Sequence, residues 1–80
     1  MFHTVSSLRV LSDYELYVLF SNGEFKYYDM KPLFRRWVQF RELEKDPMRF
    51  LNVKIDVGGY GIVWSDLLDL SCEELYENGR

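Results

Sequence analysis

The dipeptide Asn22-Gly23, set between two runs rich in β-branched and aromatic residues, constrains this chain more than any other local feature. A two-residue type I′ turn needs positive φ at both central positions, and Asn and Gly tolerate it best. With those residues as the loop, Ser21 faces Glu24, Phe20 faces Phe25, Val18 faces Tyr27 and Leu16 faces Asp29. Side chains alternate across a strand, so this register predicts a core face of Leu16, Val18, Phe20, Phe25 and Tyr27. The opposite face then carries Glu15, Tyr17, Leu19, Lys26, Tyr28 and Met30. A Tyr17–Tyr28 pair there would be a partly exposed aromatic platform, although such pairs also simply stabilise sheets.

Elements on either side follow from the same kind of reading. Thr4 to Leu11 and Tyr14 to Phe20 form a hairpin about Ser12-Asp13, with a register left open because Val5, Leu8 and Val10 break strict alternation. Pro32 suits a first helical turn, and Leu33, Phe34 and Trp37 recur at helical spacing. Phe40 and Leu43 predict one more turn pinned to the sheet, and Asp46-Pro47 starts another. Val53, Ile55 and Val57 alternate with polar residues as a half-buried strand, Gly58-Gly59 turns it, and Tyr60 to Trp64 returns. Asp66 to Leu70 reads as a linker. Ser71 to Glu74 fits a capping box in which Ser71 caps and Glu74 reaches back, opening a helix that ends at Asn78-Gly79.

Eighty residues make one domain, 1–80, near the small end of what folds without staples. A single Cys, Cys72, cannot form an internal disulfide, and with the single His3 it falls short of a structural zinc site. The core must therefore stabilise the fold. Two Trp, six Tyr and six Phe overfill so small an interior, which favours an exposed self-contact or partner surface. Nothing approaches a signal peptide or the ~20 apolar residues of a membrane span, so the expected location is cytoplasmic. Net charge is −3, unevenly spread: residues 31–54 hold seven bases and three acids, whereas 55–80 hold one base and six acids. Mutual neutralisation of those blocks within the fold is the first explanation of that asymmetry.

The chemistry-bearing residues read mostly as structure. Asp66, Asp69, Glu73, Glu74 and Glu77 suggest a metal or acid–base site, but Glu73 and Glu74 belong in a helix first turn, and Asp69 can cap just before it. Cys72 at a helix start reads as a small filler in preference to a nucleophile, and His3 lies too near the terminus to serve as its base. Gly58-Gly59-Tyr60-Gly61 lacks the spacing and the Lys-Ser/Thr of a phosphate loop and leads into a strand. Lys31, Arg35, Arg36, Arg41, Lys45 and Arg49 punctuate Phe34, Trp37 and Phe40, the one arrangement suited to phosphates and stacking. A solvated rim around core aromatics explains it as well.

Taken in order, Asp13, Leu16, Phe20, Asn22-Gly23-Glu24, Asp29, Pro32-Leu33, Phe40, Leu43, Phe50, Val53, Asp56, Ile62, Trp64, Asp69 and Leu75-Tyr76 form a set that resembles the bacterial domain-of-unknown-function family 2442. The likeness spans nearly all eighty residues, although Ser65 stands where many relatives have proline after the strand tryptophan. It implies a small α+β domain without an established activity, in some members fused to a helix-turn-helix. Other members are encoded alone, often beside another small protein in an arrangement similar to toxin–antitoxin pairs. No recognition helix occurs within these residues, so DNA binding of that kind is not carried over.

The expectation is thus an α+β domain with one antiparallel sheet of about five strands, short mid-chain helical segments and a closing carboxy-terminal helix. It is expected to be no enzyme and to need no cofactor or metal. Its expected role is a protein-binding or regulatory module, antitoxin-like, that meets the product of an adjacent gene or a second copy through Tyr17, Tyr28, Arg35, Arg36 and Trp37. The rival is a nucleic-acid-binding module using residues 31–49.

Overall fold

The computed structural model describes residues 3–80; the reading of Met1 and Phe2 as a terminus without a leader lies outside them. Strands β1 (Val5–Val10), β2 (Glu15–Phe20) and β3 (Phe25–Asp29) form one antiparallel sheet in that order. A helical stretch follows: α1 (Lys31–Arg36), a 3-10 turn at Val38–Phe40, α2 (Arg41–Lys45) and α3 (Pro47–Leu51). Strands β4 (Lys54–Ile55), β5 (Gly61–Ser65) and β6 (Leu68–Ser71) make a second three-stranded sheet, and α4 (Cys72–Asn78) closes the fold. The α+β class is as expected, but the single five-stranded sheet is replaced by two sheets of three. Leu68 to Leu70, read as linker, is a strand whose Leu68 and Leu70 turn inward while Asp69 turns out.

The first hairpin resolves its broken alternation with a bulge. Val5 pairs with Phe20 but Ser7 with Leu19, so Ser6 is an extra residue, and beyond it Leu8 opposes Val18 and Val10 opposes Leu16. One inserted residue returns Val5, Leu8 and Val10 to a common face. Tyr14 sits in the turn at φ 60, where its hydroxyl donates to the Glu44 carbonyl at 2.7 Å and its ring packs on Phe34 and Phe50. The turn thereby anchors the helical stretch.

The second hairpin departs from expectation by one residue. Leu16 pairs with Tyr28, Tyr17 with Tyr27, Val18 with Lys26 and Leu19 with Phe25. The loop is Ser21-Asn22-Gly23: the Gly23 amide donates to the Phe20 carbonyl at 3.0 Å, the Phe20 amide donates to the Glu24 carbonyl at 2.8 Å, and of the two residues Asn22 and Gly23 only Gly23 has positive φ, at 90°. This is the three-residue hairpin, a tight turn followed by one left-handed residue. The Asn22 side chain accepts from the Glu24 amide at 3.0 Å and so closes the loop without adopting positive φ itself. A one-residue slip exchanges the two faces of the strand. Phe25 and Tyr27, assigned to the core, are therefore 52% and 39% exposed, and Tyr28 and Met30, assigned to the outside, are buried.

At Gly23 a Cβ would meet nothing within 4 Å, so only backbone strain opposes substitution. Gly23→Val is expected to cost about 1–3 kcal/mol, and Gly23→Asn clearly less, in a urea unfolding series. An unchanged midpoint for the valine variant would show that this position does not hold a left-handed residue.

One core joins both sheets, the helical stretch and α4, and includes Leu16, Val18, Phe20, Leu33, Phe40, Leu43, Ile62, Leu68 and Leu75. Trp64 ties the second sheet to the helical stretch: its indole N–H donates to the Phe50 carbonyl at 3.0 Å, and its ring lies against Phe40 and Phe50. The strand expected from Val53 to Val57 ends at Ile55, because Asp56 caps a turn by accepting from the Val57 amide at 2.8 Å. Val57 is consequently 91% exposed, and Ile55 is exposed too. Gly58 and Gly59 have positive φ, as their turn role requires. Ser71 caps α4 through the Glu74 amide at 3.1 Å, but Glu74 does not complete the box.

Candidate functional site

The inner face of the first sheet is buried in the core, whereas no helix or strand among the described residues packs on its outer face. There the register sets Tyr17 beside Tyr27 and Leu19 beside Phe25, with Arg9 opposite Tyr17 and Ser7 opposite Leu19 on β1. The rings form one cluster: Tyr17 lies 5.5 Å from Phe25 and 5.6 Å from Tyr27, and Phe25 lies 5.8 Å from Tyr27. A shallow depression of about 500 Å³ runs beside them, lined by Ser7, Arg9, Leu11, Tyr17, Leu19 and Tyr27. Its carboxylate neighbours are occupied, since Glu15 pairs with Arg80 and Asp29 with Lys31. Partial burial pushes the Asp29 carboxyl up, but the hydrogen bonds and charge of Lys31 outweigh it and hold the group below the usual range.

The edge of this sheet is closed at the same place. The Tyr27 amide donates to the Arg80 carbonyl and the Arg80 amide donates back to the Tyr27 carbonyl, both at 2.9 Å. A partner strand therefore cannot add across the middle of β3, which leaves the face as the accessible feature on that side of the sheet.

Tyr28, expected on that face, is 4% exposed and points into the core, where its hydroxyl donates to Glu74 Oε2 at 2.7 Å. Burial first, and the Glu74 carboxylate second, raise its phenol far above the ordinary value. This bond explains why Glu74 fails to reach back to its own cap. It also removes Tyr28 from any surface a partner touches in the folded state.

Arg35, Arg36 and Trp37 do lie at the surface, Trp37 being 43% exposed with the Arg36 guanidinium 5.9 Å from its ring. They extend from the helical stretch that packs on the inner side of the sheet, so they do not share the surface of Tyr17. Phe34 and Phe40 are buried, which leaves Trp37 as the exposed aromatic of that segment's interleaved set. Lys31 bonds Asp29 and Asp13, Arg49 pairs with Glu42 at 3.0 Å, and Arg41 Nε donates to the Phe34 carbonyl at 2.9 Å. Half of the basic residues in the pattern thus have roles inside the chain.

The other candidates are structural in their surroundings. Cys72 is buried, and burial followed by the Glu73 charge raises its thiol, opposite to what a nucleophile needs. Among the described residues no three His, Cys, Asp or Glu side chains converge as metal ligands, and no helix is long and apolar enough to cross a membrane.

Leu11, Arg9, Phe25 and Tyr27 are the site residues that sequence reasoning missed. The signal was Ser21: a three-residue loop ending on glycine is as compatible with Ser21-Asn22-Gly23 as a two-residue loop is with Asn22-Gly23.

These features define a small α+β domain with one aromatic sheet face left open. From residue 5 to residue 80 the chain fits the family described as a protein of unknown function (DUF2442), and it belongs to that family. No curated protein and no solved structure matches it.

Proposed function

We propose that the domain is a non-enzymatic protein-binding module, the antitoxin-like or regulatory member of a two-protein system. It would act in the cytoplasm and take the product of an adjacent gene on the outer face of its first sheet. The observation that carries this reading is the ring cluster of Tyr17, Phe25 and Tyr27 beside Leu19, with Phe25 and Tyr27 exposed and Tyr17 and Leu19 half-buried, on a sheet whose other face lies in the core. Aromatic residues supply large contact area at low entropic cost, and contiguous exposed apolar surface marks interaction sites. A non-enzymatic role is supported by the causes of the displaced pKa values: Tyr28 with Glu74, Asp29 with Lys31 and Tyr76 with Glu24 are bonds within the fold, and Cys72 is shifted first by burial.

Co-purification of the adjacent gene product with the tagged domain tests the proposal, run beside oligonucleotide binding at roughly 50 and 200 mM salt. Capture of the protein is the expected result. Tight nucleic-acid binding that weakens steeply with salt and vanishes in Arg35→Glu/Arg36→Glu, with no protein captured, would overturn it in favour of the nucleic-acid module.

A further inference from the structure

The basic middle and the acidic end of the chain do not neutralise each other inside the fold. Among the described residues the ion pairs are Lys31 with Asp13 and Asp29, Arg49 with Glu42, and Arg80 with Glu15. None joins a base of residues 31–54 to an acid of residues 55–80. The expected self-complementarity is present in composition and absent in contact.

Each half instead presents its own surface. Lys31, Phe34, Arg35, Arg41, Glu44 and Lys45 line a cleft of about 440 Å³ at α1 and α2, where four cations meet one carboxylate. Arg41 is oriented there by its Nε bond to the Phe34 carbonyl, while Arg35 and Lys45 are exposed and make no ion pair. On α4, Glu73 and Glu77 are exposed, make no ion pair among the described residues and lie one helical turn apart, so both carboxylates project from one side of the helix.

We infer that the cleft at α1 and α2 receives the Glu73–Glu77 side of α4 from a second copy of this chain. Charge complementarity selects that occupant, because Arg35 and Lys45 in the cleft and Glu73 and Glu77 on the helix make no ion pair among the described residues and occur on every molecule in equal number. A nucleic-acid strand fits less well: Glu44 stands in the cleft and the whole chain is negative, whereas backbone binding needs a continuous basic track. The contact joins two different patches, so association extends progressively with concentration unless its rotation closes a ring. It rests on exposed pairs and is accordingly weak, reversible and sensitive to salt. This surface is separate from the aromatic face of the first sheet and leaves that face free.

Sedimentation equilibrium of the full chain over rising concentration tests the inference. At roughly 50 mM salt the weight-average mass is expected to climb above that of one chain, and at about 0.5 M, where screening acts within a few ångströms, to fall back to it. Arg35→Gln/Lys45→Gln and Glu73→Gln/Glu77→Gln are each expected to stay monomeric alone. Mixed in equal amounts they should associate again, since each keeps the patch the other lacks. Circular dichroism melts of both variants confirm the fold, and Phe25→Ser should associate like the parent, which separates this surface from the partner face. A parent that remains monomeric throughout at 50 mM salt, or variants that associate as the parent does, would overturn it.

Discussion

Tyr28→Ala is expected to lower the unfolding free energy by about 3–5 kcal/mol, the range for removing a buried aromatic ring, while Tyr27→Ala costs under about 1 kcal/mol, as exposed substitutions do. The two tyrosines are neighbours in sequence and differ only in which face of β3 they occupy. Loss of the Tyr28 ring opens the core beside Leu16, its cross-strand partner, and leaves the Glu74 carboxylate without the hydroxyl it accepts from. Tyr28→Phe keeps the ring and removes only that bond, so it should cost about 1–2 kcal/mol. Urea unfolding of the three variants checks all of this. Equal losses for Tyr27 and Tyr28, or a larger one for Tyr27, would restore the two-residue turn and exchange the faces.

Gly61→Ala is the second large effect. A Cβ there would lie 2.3 Å from the Leu70 carbonyl oxygen and 3.3 Å from the Ser71 Cα, both backbone atoms of the paired strand. Neither can swing aside as a side-chain end would. The φ of Gly61 is not left-handed, so the penalty is steric and falls on the β5–β6 pairing. Moving β6 away would pull Leu68 and Leu70 from the core and shift Cys72, whose amide donates to the Tyr60 carbonyl at 2.9 Å. The expected cost is about 3 kcal/mol, the upper end for overpacking. For a domain this small that lowers the melting temperature by more than about 12 °C. A melt within about 4 °C of the parent would mean that β5 and β6 are not in this register.

How far the sequence could be read depended on whether an error in one residue propagated. Pro32, Asp46-Pro47 and Ser71 mark helix starts through their own covalent or capping chemistry, and each lies where expected. Phe40 and Leu43 are buried as their spacing implied. The Asn22-Gly23 turn was also located correctly, but its length sets the parity of an entire strand. Phe25, Tyr27, Tyr28 and Met30 are all apolar or aromatic, so hydrophobic pattern could not choose between two faces that were equally greasy. Leu68 to Leu70 carries no strand signal of its own for a related reason: three or four residues with one aspartate have too little periodicity, and pairing with β5 supplies what the local sequence does not. Of the expected site residues, Tyr17, Arg35, Arg36 and Trp37 are at the surface. Tyr28 went inward with the register, and Phe25 and Tyr27 took its place.

The open aromatic face is the centre of this account, and titration calorimetry with the adjacent gene product measures its role most directly. Phe25→Ser/Tyr27→Ser should unfold much as the parent does yet bind roughly 30-fold more weakly or worse, as expected when anchors worth about 2 kcal/mol are removed. Arg35→Glu/Arg36→Glu should bind within about threefold of the parent at moderate salt. Undiminished binding by the aromatic variant, or a loss confined to the charge reversals, would contradict the assignment of this face as the partner's docking surface.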